Sequence, residues 1–291
     1  MVNEISLNAY AKINLSLDVL RRREDGYHEV KMIMQTIGLH DELTFKRRDD
    51  DKVVLKSDDE SLPTDKDNLI IKACDLFFSE LGSGYGVDIF LKKMIPTAAG
   101  LAGGSSDAAA TLKALNKMAG DPYDDEGLRK MGVKIGADIP FCLMGGTALS
   151  EGIGEILTPL PSPRRENEER FILIAKPPAA VSTAFVYKNL KLDENTEHPD
   201  VDGMTDALKK GDYDGIVKRL GNVLESVTIP AYPEIGKIKE IAILNGAEGA
   251  LMSGSGPTVF ALFDDKEKAQ GALLRLKETG LCRDLLITGF M

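Results

Sequence analysis

PTAAGLAGGSSDAAA, residues Pro96 to Ala110, places Gly100, Gly103 and Gly104 and then Ser105 and Ser106 directly before a run of alanines. Glycine reaches left-handed backbone conformations and lets a ligand approach the main chain, whereas alanine is the strongest helix former. The stretch therefore reads as a loop feeding a helix, with Ser105 or Ser106 as the expected N-cap. A helix start presents unpaired N–H groups and the positive end of the helix dipole, so glycines just ahead of it open an anion cradle. A tight turn before a capped helix would use the same residues, and the local pattern leaves both readings open. Two familiar nucleotide loops are excluded. A Walker-type loop needs lysine after its last glycine, but Ser105 follows Gly104 and the next lysine is Lys113. The spacing also departs from Gly-x-Gly-x-x-Gly and lacks the strand-helix-strand setting near the N-terminus that a dinucleotide fold uses.

Downstream, the helix is expected to run through SSDAAATLKALNKMAG and to stop at Gly120 and Pro122. A second helix is predicted over DEGLRKMGVKIG, and ADIPFCLMGGTALSEG reads as a loop followed by an apolar strand. Asp138 lies in that loop just before Pro140, where a turn aspartate is the plain reading. Upstream, Ala11, Ile13, Leu15, Leu17 and Val19 alternate with Lys12, Asn14, Ser16 and Asp18, the period of a half-buried strand with Lys12 and Asn14 on one face. An Asp25-Gly26 turn followed by VKMIMQTIGL makes an antiparallel hairpin. ELTFKRR, KVVLKSD and GVDIFLKKMI are further strand candidates, and DNLIIKACDLFFSEL is a helix candidate.

PLPSPRRENEER, residues 159–170, mixes prolines with charge and is expected to join two domains, 1–160 and 161–291. Beyond it come a strand at FILIAKPP, a helix near STAFVYKNL, helices through LESVTIPAYPEIGKIKEIAILNG, two strands around a glycine-rich turn in GALMSGSGPTVFALF, a helix at DKEKAQGALLRLKETG and a last strand at DLLITGF.

The chain has 291 residues, 43% hydrophobic and 28% charged, enough to bury a sizeable core. Its net charge of −10 argues against a nucleic-acid partner, which a basic surface would serve. Cys74, Cys142 and Cys282 fit neither a disulfide framework nor a zinc site, and His28, His40 and His198 show no metal-ligand spacing. Arg21 to Arg23 flank the hairpin turn and could draw an anionic substrate. With no signal-peptide pattern and no apolar stretch of membrane-spanning length, a cytoplasmic protein without membrane contact is expected.

Three elements in order, AKINL at 11–15, PTAAGLAGGSSDAAA at 96–110 and SGSGPTVFALF at 253–263, resemble the GHMP small-molecule kinases, named for galacto-, homoserine, mevalonate and phosphomevalonate kinases. REDGYHEV, MQTIGLHDEL and GADIPFCLMGGTALSEGIGE narrow the resemblance to members whose acceptor is a cytidine diphosphate-linked methylerythritol. The resemblance covers nearly the whole chain. It implies a two-domain α+β fold, with an N-terminal α/β domain like the second domain of ribosomal protein S5, a ferredoxin-like C-terminal domain, and the active site between them. ATP and Mg²⁺ are the implied cofactors. Pro96, Ala98, Ala99, Gly100, Leu101, Ala102, Gly103, Gly104, Ser105 and Ser106 fall where the family wraps the ATP phosphates, with Asn68 and residues near Lys92 and Lys93 toward the adenine end. Lys12 and Asp138 match the catalytic pair. Asn14, Tyr27, His28, Thr183 and Tyr187 match acceptor positions, with Tyr27, His28 and Tyr187 around the cytosine. Metal ligands stay unassigned, Ser106 being the one suggested. Tyr10, where many relatives have proline, and Thr97 and Ala98 depart from the pattern without touching the catalytic pair. The implied partner is a small molecule, and the implied assembly a monomer or homodimer. The competing expectations are a homoserine or mevalonate kinase, or a nucleotide sensor without turnover; retention of both Lys12 and Asp138 argues against the sensor.

Overall fold

The computed structural model describes residues 2–164 and 169–291; residues 165–168, in the middle of the expected inter-domain connection, lie outside the described residues. In chain order the elements are β1 (Glu4–Arg22), β2 (His28–Arg47), β3 (Val53–Ser57), α1 (Leu69–Leu81), β4 (Val87–Lys92), α2 (Gly103–Ala119), α3 (Asp125–Ile135), α4 (Ile139–Met144), β5 (Thr147–Gly152) and β6 (Ile156–Leu160). They continue as β7 (Phe171–Lys176), α5 (Thr183–Asn189), α6 (Val201–Lys210), α7 (Tyr213–Val217), β8 (Gly221–Asn222), α8 (Glu225–Ala231), α9 (Glu234–Leu244), β9 (Gly249–Met252), β10 (Val259–Phe263), α10 (Lys266–Thr279) and β11 (Asp284–Thr288). Two compact units result. One gathers residues 2–11, 39–97 and 102–145; the other gathers 12–38, 98–101 and 146–291.

In the first unit, the C-terminal half of β2 pairs antiparallel with β4 (Leu43↔Leu91, Phe45↔Ile89), and β3 runs parallel to β4 (Leu55↔Ile89). These strands share one apolar core with the helices: Phe45, Leu91, Phe77 of α1, Leu112 of α2, Met131 of α3 and Ile139 of α4 are all buried in it. Ala108, Ala109, Ala110 and Ala114 are buried along α2, where short side chains let it pack against both α1 and α4. Side-chain caps close α1 (Asn68 to the Ile70 N–H, 2.9 Å) and α3 (Asp124 to the Gly127 N–H, 2.8 Å).

In the second unit, the N-terminal half of β2 pairs antiparallel with β5 (Ile33↔Leu149), β5 with β6, and the inner end of β1 runs parallel to β8 (Leu17↔Asn222). A separate antiparallel sheet has the order β11-β7-β10-β9. Counting its strands along the chain gives 4-1-3-2 with helices after the first and third, the ferredoxin-like arrangement expected for the C-terminal part.

The elements differ from expectation at several points. β2 is one strand of 20 residues, although its polar stretch His40-Asp41-Glu42 suggests a break between two. The strand continues because Asp41 is buried and its carboxylate accepts the Met94 and Ile95 N–H groups at 2.6 and 2.7 Å. Residues 11–19 of β1 are buried on both faces, so the alternation does not mark a wet side. Asn14 lies under the 253–255 turn, with 3.7 Å from its Oδ1 to where a Cβ on Gly254 would stand, and Asp18 meets His198 Nδ1 at 2.8 Å. The stretch after Asp138 is the short helix α4 rather than a loop, and β6, α6 and α7 fall in segments that the sequence left unassigned. α2 begins at Gly103, which places Ser105 and Ser106 inside its first turn; neither is the N-cap.

Candidate active site

The residues leading into α2 adopt an uncommon backbone. Ala98 (φ 50°), Gly100 (φ 71°) and Ala102 (φ 57°) are left-handed at every second position. Alternating handedness turns successive N–H groups to one side, as in anion-binding nests, and costs about 1 kcal/mol or more at each alanine. Ala102 occupies the N-cap of α2 without any side-chain oxygen closing the helix, and its first turn holds no acid. By contrast, side chains cap α1, α3, α5, α6, α7 and α10. A phosphate fits such an end, because the dipole and the N–H groups of Gly103, Gly104 and Ser105 favour negative charge there. Ser106 is buried; its hydroxyl donates to the Tyr10 carbonyl at 2.6 Å and lies 3.3 Å from Cys142 Sγ.

Gly103 is required by what stands behind it: a Cβ would come within 2.9 Å of Lys93 Nζ and 3.1 Å of Ile95 Cγ2. Lys93 cannot move aside. Its buried ammonium pairs with Asp41 and, at 3.1 Å, with Asp107 of α2. Burial opposes that charge, but the facing Asp107 and Asp41 carboxyls raise the lysine pKa overall. Asp107 responds oppositely: burial and the neighbouring Asp41 outweigh Lys93 and push its carboxyl up to about 7. One cation thus serves two acids, and the second retains its proton more readily. Asp41 and Asp107 were not identified from sequence. Lys93, expected toward the adenine, has its ammonium committed to this triad, whereas Lys92 pairs with Glu42 at the surface. Lys93→Met should destabilise the fold by about 3–5 kcal/mol, the usual consequence of stranding buried carboxylates. Thermal melts of the two proteins test this; coincident melting curves would show that these acids need no cation.

Two other expected residues belong to the same unit. Asn68 caps α1 through Oδ1 and donates from Nδ2 to the Pro63 carbonyl at 2.7 Å, so both ends of its amide are engaged. Asp138 stands half-buried at the start of α4, but its carboxylate does not cap that helix.

The second unit gathers the remainder. Lys12 Nζ donates to Asn14 Oδ1 at 2.8 Å, and both side chains are buried. The Lys12 backbone N–H donates to the Leu101 carbonyl at 3.1 Å, which ties β1 to segment 98–101. From the other side, Ser253 Oγ donates to the Gly100 carbonyl at 3.0 Å. Thr183 Oγ1 and Ser255 Oγ share a hydrogen bond of 2.9 Å. The turn between β9 and β10 therefore touches both the glycine segment and Thr183. The SGSG pattern drew attention to this turn, but not to its serines.

The hairpin supplies the aromatic end. The Arg23 N–H donates to the Tyr27 carbonyl at 2.8 Å, and Asp25 Oδ1 accepts the Tyr27 N–H at 3.1 Å. The His28 and Tyr187 rings lie with centroids 4.9 Å apart, while Tyr27 is 59% exposed. Burial, then the Arg22 charge, lowers the His28 pKa below its ordinary 6.5. The imidazole is therefore neutral at physiological pH. The structure brings together Lys12 with Asn14, Thr183 with Ser255, and His28 with Tyr187, each pair within this unit.

The GHMP kinase N-terminal domain model matches residues 68–146, which contain α2 and Asp138, and the GHMP kinase C-terminal model matches residues 204–281, which contain the SGSG turn. The chain belongs to the GHMP kinases. A 4-diphosphocytidyl-2-C-methyl-D-erythritol kinase of Lachnoclostridium phytofermentans is 52% identical to this GHMP kinase across 98% of this chain and 97% of its own length. A crystal structure of 4-(cytidine 5'-diphospho)-2C-methyl-D-erythritol kinase superposes with a TM-score of 0.81 at 31% identity, covering 98% of this chain and 99% of that one. Within the GHMP kinases the chain thus falls among the 4-diphosphocytidyl-2-C-methyl-D-erythritol kinases. Homoserine kinase from Cytophaga hutchinsonii shares the fold, with a TM-score of 0.80 at 22% identity over 100% of this chain and 96% of its own. The expected two-domain GHMP kinase fold is the one observed.

Proposed function

We propose that this kinase transfers the γ-phosphoryl group of ATP to the 2-hydroxyl of 4-diphosphocytidyl-2-C-methyl-D-erythritol, giving the 2-phosphate and ADP in the non-mevalonate isoprenoid pathway. The observation that carries the acceptor is the His28–Tyr187 ring pair, two aromatic faces tilted 41° to each other and available to a pyrimidine, in the unit that also holds Lys12 and Asn14. Full-length similarity to proteins bearing that name supports it. The uncapped, acid-free start of α2 supports ATP as donor, with Gly100 to Ser106 along its phosphates.

Phosphoryl transfer depends on positioning and on neutralising charge, because the transition state spreads negative charge over the phosphoryl oxygens. Asp138 is assigned to hold the 2-hydroxyl and take its proton. Lys12 is assigned to steady the developing negative charge, with Asn14 fixing the direction of its ammonium through their 2.8 Å bond. Thr183, whose hydroxyl shares a hydrogen bond with that of Ser255, is assigned to the acceptor. Mg²⁺ bound with ATP would supply further neutralisation, with Ser106 the one residue of this chain suggested as a ligand. The family models match 68–146 and 204–281 separately, and the proposed sequence division near 160/161 lies in the stretch between them. No helix among the described residues is long and apolar enough to cross a membrane; a cytoplasmic location, as monomer or homodimer, is part of the proposal.

ADP release with MgATP and a panel of 4-diphosphocytidyl-2-C-methyl-D-erythritol, mevalonate, homoserine and galactose tests the reading. Turnover confined to the first is expected; preference for another acceptor would overturn the assignment of the ring pair. The same assay reads His28. Because its pKa is lowered, the neutral form persists at and above the ordinary value, so the acceptor KM should stay flat between about pH 7 and 9 and climb only as acid charges the ring. His28→Gln should raise KM throughout and abolish the acid limb. An acid limb that survives in this variant would place the titrating group elsewhere.

A further inference from the structure

We propose that Asn222 is a positioning residue for the phosphate-binding segment 98–101, acting through the 253–255 turn; the inference rests on the kinase reading. Asn222 lies on β8, outside every motif that marks the family in this sequence. Its buried amide uses all of its principal capacity: Nδ2 donates to the carbonyls of Met252 and Gly254, each at 2.8 Å, and Oδ1 accepts the Leu224 N–H at 3.0 Å. Those two carbonyls flank Ser253. Between them Ser253 sends its hydroxyl to the Gly100 carbonyl, and its own carbonyl stands 2.3 Å from where a Cβ on Gly100 would be.

Two donors and one acceptor on a single planar group match this task, and among the side chains of this size only asparagine supplies them. The backbone around Asn222 is fixed independently, by its register with Leu17 and by the Val223 N–H on the Leu17 carbonyl at 3.0 Å. Glu225, one helical turn on, accepts the Met252 N–H at 2.9 Å, so the entrance to the turn is held as well. Asn222 thus links the strand that carries Lys12 to the turn that orients Gly100. It touches neither substrate, and its effect on nucleotide binding is transmitted by Ser253.

The test is a double-mutant cycle on the full chain, with ATP affinity read by calorimetry and cytidine diphosphate as the probe of the acceptor end. Asn222→Asp keeps the shape but sets a carboxylate against two carbonyl oxygens; it should weaken ATP about tenfold, the effect of one well-made hydrogen bond, and leave cytidine diphosphate unchanged. Ser253→Ala should weaken ATP as well, and the double variant should be no weaker than the worse single one, as expected of residues acting in series. If the aspartate variant does not fold, Asn222→Ser removes both donors without adding charge and makes the same comparison. Unchanged ATP affinity in a variant that merely melts lower would reduce Asn222 to a core brace, and losses that multiply would show that it does not act through Ser253. A wild-type protein that binds no ATP would remove the kinase reading and this inference together, whereas normal ATP binding by both wild type and variant removes the inference alone.

Discussion

Asp138→Asn is expected to lower kcat by about 10³-fold while ATP still binds with nearly wild-type affinity. General bases contribute roughly 10²- to 10⁴-fold, and the amide keeps the size and most hydrogen bonds of the carboxylate but cannot take a proton. The local structure favours a clean experiment. Asp138 does not cap α4, and the Cys142 N–H bonds to its backbone carbonyl, so the substitution leaves the helix start intact. Steady-state turnover together with calorimetric titration of ATP separates the two effects. A variant with wild-type kcat would remove Asp138 from proton transfer, and one with lost ATP affinity would move it to the nucleotide.

Gly100→Ala should be comparably severe for a different reason. Alanine can occupy the left-handed region, as Ala98 and Ala102 do, at a cost of roughly 1–2 kcal/mol. The added methyl has no space, because 2.3 Å from the Ser253 carbonyl is far inside contact distance and the second obstacle, the Gly256 carbonyl at 3.2 Å, is also backbone. Neither can rotate away as a side chain would. Segment 98–101 must shift, and ATP affinity should fall by more than tenfold with the acceptor end unaffected. Calorimetric titration with ATP checks this directly, and unchanged affinity would show that the segment is not part of the phosphate site.

What was legible in the sequence was what is decided locally. Gly120 ends α2 and the Asp25-Gly26 turn closes the hairpin, because the residues that make these features are neighbours in the chain. The glycines at 100 and 103 were legible as places of close approach, but not what they approach: Ser253 lies 153 residues beyond the first. Long-range pairing also hid the continuity of β2. Asp41 looks like a strand breaker until Lys93, 52 residues away, neutralises it. The misplaced start of α2 has the same origin. Serine beside an alanine run is normally a cap, yet Ser106 is drawn inward by the Tyr10 carbonyl, 96 residues earlier, and the helix end is left open at Ala102. Local propensity therefore points one turn too far along.

Strands β1 and β2 each begin in one compact unit and end in the other, and residues 98–101 belong by contact to the second unit although the chain on both sides belongs to the first. No single cut of the polypeptide separates them. A fragment ending at residue 160 would carry away residues 12–38, parts of β1 and β2, from the unit that needs them, and the complementary fragment would lack the β1 partner of β8. Loss of one unit should therefore unravel strands of the other, so that unfolding is expected to register as a single transition.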